Sequence, residues 1–372
     1  MDGKGWKAIL SNYDTVKYLS KFELIELISY DQDLSNHVHH VKSLTYEYYH
    51  NNLLLRYISQ IFYNLNRLHL SESSFTLTAF QKLMSDLNQL EHLILNRTLF
   101  IVFDTSNDPI ILSLPPNLIT FRPKSYLEIG DRTNIEDLKL KVESNSLPNL
   151  KYLEIDHYFQ DFIETGSSLL AASRNLKHLS ARYCLIERFS GINIQSLRSL
   201  TITMINQHYQ SNVDAIFPTF RNLKELKIFA GFGINVFERG LIIPRLQKLA
   251  NIAKNIEKLT LPYIKSSSFS IKDTLQNFDN LKELSLVPAD KLTSLNPEEL
   301  PKTINILNLY NTNPNFVDIN NFSNCSELRT IAIYYNSQTL NNFKFEKSGF
   351  YKGFEGWRII NYPGASIRCY KE

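Results

Sequence analysis

A seven-residue phrase recurs through this chain. Asn280–Leu286 reads NLKELSL, Asn222–Ile228 NLKELKI and Asn175–Ala181 NLKHLSA; Asn149–Ile155 (NLKYLEI), Asn255–Leu261 (NIEKLTL) and Asn64–Leu70 (NLNRLHL) repeat it. Apolar residues stand first, fourth and sixth after the Asn, with polar residues between them. The last two apolar positions are two apart, so they face the same side of a short strand. A single copy has nothing to bury that side against, whereas a stack of copies buries it on itself.

The pattern L-x-x-L-x-L is the core of a leucine-rich repeat. Starts fall at Val41, Leu65, Leu90, Leu118, Leu150, Leu176, Leu197, Leu223, Ile256, Leu281, Ile304 and Leu328, a mean step of about 26 residues, within the range of this repeat class. Between residues 101 and 149 two registers compete. Leu118 follows a Pro-Pro-Asn turn, and Ile135–Leu140 also fits the strand phrase. Between strands the apolar period becomes helical: Phe80, Leu83, Met84 and Leu87 form one stripe, Phe159, Phe162, Ile163, Leu169 and Leu170 another. Parallel strands need such crossovers. The expected fold is α/β, a leucine-rich repeat solenoid or horseshoe with a parallel concave sheet and convex helices, resembling the ribonuclease-inhibitor kind. About twelve repeats would occupy 41–348. Residues 349–372 abandon the phrase, and Trp357, Ile359, Ile360 and Tyr362 suit a cap on the last repeat's open edge.

Residues 1–40 differ. Trp6, Ile9, Leu10, Tyr13 and Val16 make one helical stripe, and Ser20 with Glu23 fits a capping box before Leu24, Ile25, Leu27 and Ile28. Short amphipathic helices here can serve as the end cap that a solenoid requires. The spacing of Ile9-Leu10, Tyr18-Leu19-Ser20 and Glu23–Leu27 also resembles an F-box. The F-box/leucine-rich repeat family is the substrate-receptor subunit of SCF-type ubiquitin ligases. That resemblance implies an adaptor-binding role for Ile9, Leu10, Leu19 and Leu24, and a protein substrate held on the concave face. The alternative is a repeat scaffold or inhibitor without a ubiquitin-ligase link.

Composition narrows the remaining classes. The 372 residues carry a formal net charge of +3, with basic and acidic residues interspersed, so no phosphate-binding block stands out and nucleic acid is not an expected partner. No run approaches the ~20 apolar residues of a membrane helix. Cys184, Cys325 and Cys369 are sparse and scattered, which fits a reducing, cytoplasmic or nuclear setting. His37, His39 and His40 lack further ligands at metal-site spacing. Gly231 and Gly233 form a lone GxG, and no nucleophile elbow, zinc-protease helix or CxxC pair occurs. No catalytic, cofactor or metal residue is expected.

A binding face is the remaining expectation. Residues two, four and six after each start project from the sheet away from the core. Those positions are charged and His-rich early in the array, with Tyr152 and Arg182 the candidates there. They become apolar toward the end, where Phe229, Val287, Ile306, Tyr310 and Tyr334 are the candidate contacts for a protein partner. Eight after the start, where this repeat class favours Asn or Cys, stand Cys184, Asn336, Ser73, Thr98 and Thr312.

Overall fold

The structure, a computed structural model, describes residues 15–19, 40–47, 58–102, 110–129, 140–143, 146–155, 162–182, 195–204, 220–230, 255–262, 272, 275, 278–287, 296–312, 317–335, 356–362 and 366–372, with the backbone alone at 15–19 and at some strand and helix ends. It divides into two compact units, 1–196 and 197–372.

One local device repeats in both. At nine of the starts among the described residues the N–H of the Leu or Ile bonds the carbonyl three residues back, as Leu65 to Phe62 at 3.2 Å, Leu90 to Leu87 at 3.0 Å and Leu281 to Phe278 at 3.2 Å. That turn drops the starting side chain into the core; Leu65, Leu90, Leu118, Leu150, Leu223 and Leu281 are all 0% exposed. A single carbonyl of the previous repeat then accepts from two successive N–H groups. Asn66 and Arg67 donate to Lys42 O at 2.9 and 3.0 Å, and Lys282 and Glu283 donate to Glu257 O at 2.8 and 3.0 Å. The shared carbonyl pins strand register before the strand begins. A one-residue slip would turn every buried Leu outward.

In the first unit the strands are β1 (Thr15–Leu19), β2 (Ser43–Glu47), β3 (Arg67–Ser71), β4 (Ser74–Thr76), β5 (His92–Val102), β6 (Ile110–Ile111), β7 (Thr120–Ile129), β8 (Leu140–Lys141), β9 (Tyr152–Ile155) and β10 (His178–Arg182). The main sheet runs β1-β2-β3-β5-β7-β9-β10, all parallel, with β4 beside the far end of β5 and β6-β8 as a separate pair. Leu118 is therefore the true start: β7 follows it two residues later, while Leu140 pairs with Ile110 in the small sheet. Helix α1 (Leu77–Asp86) begins at Thr76, whose hydroxyl accepts from Ala79 N, and it buries Leu77, Phe80, Leu83 and Met84. Phe80 meets Phe100 edge-on with centroids 4.8 Å apart. Helix α2 (Phe162–Ala172) buries Leu169, Leu170 and Ala172.

The second unit holds β11 (Ser199–Met204), β12 (Glu225–Ala230), β13 (Lys258–Leu261), β14 (Glu283–Leu286), β15 (Ile306–Tyr310), β16 (Thr330–Tyr334), β17 (Trp357–Tyr362) and β18 (Ser366–Lys371). Strands β11 to β16 pair in order and in parallel. The repeats thus stack as the phrase requires, and the fold is a leucine-rich repeat array.

Two expectations are corrected. Full helices do not fill every crossover: those into β15 and β16 carry 3-10 turns at Pro297–Glu299 and Ile319–Phe322, capped by Asn296 and Asp318. Those steps, Leu281 to Ile304 and Ile304 to Leu328, span 23 and 24 residues, below the array's mean of about 26, which leaves less chain for the crossover after strand and turn. At the amino-terminal end, Thr15–Leu19, which the helical stripe and the F-box reading claimed through Val16 and Leu19, is a strand parallel to β2. Pairing with a strand already fixed in the array outweighs a weak local periodicity. Ile9, Leu10 and Leu24 lie outside the described residues.

Candidate binding surface

The outward positions sort into rows, because parallel strands in one register set like positions side by side. The row six after the start reads Thr203, Phe229, Pro262, Val287, Tyr310 and Tyr334 across β11 to β16. Phe229, Val287, Tyr310 and Tyr334 are each half-buried, whereas the core-facing Leu226, Leu284, Leu307 and Ile331 are fully buried. These four aromatic and aliphatic side chains are not needed to close the core. Tyr310 and Tyr334 stack with centroids 4.4 Å apart and planes 6° from parallel, the close match of neighbouring parallel strands. Burial, with Tyr334 and Glu283 alongside, pushes the Tyr310 phenol above its ordinary range. Ile306, half-buried, sits two residues before Asn308, which is itself held by Glu283 Oε1 at 2.9 Å and Ser285 Oγ at 3.1 Å.

The carboxy-terminal hairpin does not fold over this face. Strand β18 joins β16 antiparallel, with Ala332 opposite Arg368 and Tyr334 opposite Ser366, and β17 joins β18. Antiparallel partners share a face. Cys369, Ile367, Ile359 and Trp357 therefore continue the core, while Arg368, Tyr370, Arg358, Ile360 and Tyr362 continue the outward face. Ile360 and Tyr362 thus stand on the outward side of the hairpin that pairs with the edge of β16; Tyr362 is 41% exposed. The Arg368 guanidinium lies over the Tyr362 ring, 5.3 Å from its centroid. Alternation in SIRCYK and WRIINY carried the signal for these residues, which the absence of the leucine phrase obscured.

Charges on β12 to β14 are satisfied internally. Lys258 and Glu283 pair at 2.8 Å, Lys227 and Glu225 at 3.0 Å, and Ser199 Oγ donates to Glu225 at 2.6 Å. One position earlier, Lys224 and Lys282 both reach Glu257, at 2.6 and 3.6 Å.

In the first unit the face is built differently. Arg122 donates to Glu154 at 2.5 Å and lies over the Tyr152 ring, which stacks near His178 at 6.2 Å. Tyr152 is thus a half-buried member of a charged and aromatic cluster. Arg122, which belongs to the ambiguous Leu118 repeat, is a member that the repeat phrase alone did not place. Arg182, by contrast, is 3% exposed. No cluster of three or more His, Cys, Asp or Glu side chains able to hold a metal occurs among the described residues.

No protein-family model and no curated protein matches this sequence. Among solved structures, an internalin from Listeria monocytogenes is 16% identical, over 78% of this chain and 76% of its own, at a TM-score of 0.31. A plant peptide hormone receptor, RGFR1 in complex with RGF2, is 11% identical over 87% of this chain and 53% of the receptor chain, at a TM-score of 0.24.

Proposed function

We propose that this leucine-rich repeat chain is a protein-interaction scaffold that binds a polypeptide partner on the outward face of the second unit, around Tyr310 and Tyr334. The observation that carries the reading is the row Phe229, Val287, Tyr310 and Tyr334: half-buried apolar and aromatic side chains, on strands whose core is already closed by other residues. Such residues are those that dominate protein interfaces once desolvated. Their mounting is rigid, since each strand is tied to its neighbour along the backbone and at the doubly bonded carbonyl. A rigid mounting lowers the ordering cost of binding. The contribution is positioning, not bond chemistry.

The rival reading, a ubiquitin-ligase substrate receptor, has less support. It draws on an amino-terminal helical box, and Thr15–Leu19 forms a strand instead.

The test is affinity capture by the full chain with mass spectrometry, run beside the double variant Tyr310→Ala/Tyr334→Ala. The expected result is one or more partners retained by the native chain and depleted roughly tenfold or more by the variant, the loss of a hot-spot contact, at an unchanged melting temperature. Equal capture by both chains would reject the surface. Recovery of an SCF adaptor by the native chain would restore the rival.

A further inference from the structure

The four strands that end the array, β15 to β18, contain no aspartate or glutamate, yet they present Arg358 and Arg368 on the outward face. Their third cation, Lys371, is occupied: its ammonium donates to Ser323 O and Cys325 O, both at 2.9 Å. The two arginines form no ion pair with a carboxylate among the described residues. Strands β12 to β14 of the same unit behave oppositely, each of their outward Lys and Glu side chains having a partner within 3.0 Å. Among the described residues, the face thus passes from self-neutralised to uncompensated positive charge at the place where tyrosines accumulate.

The guanidinium of Arg368 is also incompletely satisfied. It is hydrogen-bonded to Tyr370 and lies over Tyr362, but its Nε is buried with no hydrogen-bond partner among the described residues. A guanidinium carries five N–H donors in a planar fork suited to a carboxylate. Arg358, beside Tyr370 in register, is exposed.

Building on the reading above, we infer that the partner presents an acidic peptide segment to this face, with carboxylates on Arg368 and Arg358 and apolar side chains against Tyr310 and Tyr334. Charge complementarity selects this occupant. Single-stranded nucleic acid, the other anionic polymer, would need open ring faces on which bases stack. Here the facing sides of Tyr310 and Tyr334 are taken up by their mutual stack at 4.4 Å, and Arg368 occupies one face of Tyr362. The guanidinium donors of Arg358 and Arg368 match carboxylates.

The experiment selects random twelve-residue displayed peptides on the immobilised full chain and on the double variant Arg358→Gln/Arg368→Gln. A single-stranded 20-mer oligothymidine is titrated in parallel. Asp and Glu are expected to be enriched at least about twofold among peptides selected by the native chain, and not by the variant. The best acidic peptide should bind the variant at least about tenfold more weakly, since one charge-assisted hydrogen bond is of that size, and should weaken as salt rises. Selection without acidic enrichment, acidic peptides that bind the variant equally, or tighter binding of the oligonucleotide would each overturn the inference. Partner capture that depends on Tyr310 and Tyr334 would then still stand, which separates failure of this chemistry from failure of the surface.

Discussion

Glu72, Arg97 and Asn311 adopt left-handed backbone conformations, with φ of 49°, 50° and 51°. All three lie seven residues after a repeat start: Glu72 and Asn311 just past the ends of β3 and β15, and Arg97 inside β5 at the register irregularity between Asn96 and Thr98. The turn delivers the next side chain inward: Ser73, Thr98 and Thr312 are 1%, 0% and 0% exposed, and Ser73 Oγ donates to Ser71 O at 2.7 Å. Short hydroxyls thus bond backbone carbonyls in the turn at the position where this repeat class favours Asn or Cys. Left-handed geometry disfavours β-branched residues most. Arg97→Val should cost roughly 1–2 kcal/mol and Arg97→Gly less than about 1, as read from urea midpoints; the exposed Arg97–Glu72 pair contributes little to either. The leading Asn of the phrase has its own task. Asn117, Asn149, Asn175 and Asn255 donate from Nδ2 to a carbonyl two residues before the previous repeat's start, as Asn175 does to Pro148 O at 2.9 Å. Asn175→Ala should lose about 0.5–1.5 kcal/mol of stability in the same measurement. Cys369, 1% exposed, has its thiol pushed up to about 12 by burial. It should resist iodoacetamide at pH 8 in the native chain and react after denaturation, followed by mass spectrometry.

The strands of the second unit are joined side to side by alternating charge as well as by backbone. Burial pushes the Glu225 carboxyl up, but the Ser199 hydroxyl and the Lys227 and Lys258 ammonium groups outweigh it and hold the group below its ordinary 4.5. A depressed carboxylate favours the folded chain above that ordinary value, and the contribution is lost as pH falls through the lower folded value. Lys258 is raised above 10.5, chiefly by Glu283. Its contribution is complete below 10.5 and disappears as pH climbs through the folded value. The melting temperature should therefore hold a plateau between these limits and fall on both sides. Glu225→Gln should flatten the acid limb and leave the alkaline limb in place. The pairs are partly exposed, so each is worth only ~0.2–1 kcal/mol; a core change such as Leu259→Ala should cost ~2–5 kcal/mol instead.

At the scale of the molecule, an array joins each repeat mainly to its neighbours, and its stability approximates a sum of repeat and interface terms. Leu259, 1% exposed at the centre of β13, tests this within the second unit. In Leu259→Ala, amide exchange should accelerate most in β12, β13 and β14 and least in β18, measured by mass spectrometry; uniform acceleration across the unit would contradict a nearest-neighbour array. The starting positions, buried pairs and outward rows of this array could be read from residues alone. A periodic apolar pattern has one way to hide all its copies together, and the alternation of a strand assigns each side chain to a side. Beyond the reach of pattern were the true register at Leu118, the strand at Thr15–Leu19, the burial of Arg182 and the outward face of the carboxy-terminal hairpin. Each depends on which strand lies alongside. Pairing partners come together from distant parts of the chain, and the local sequence carries little record of a neighbour it meets only on folding.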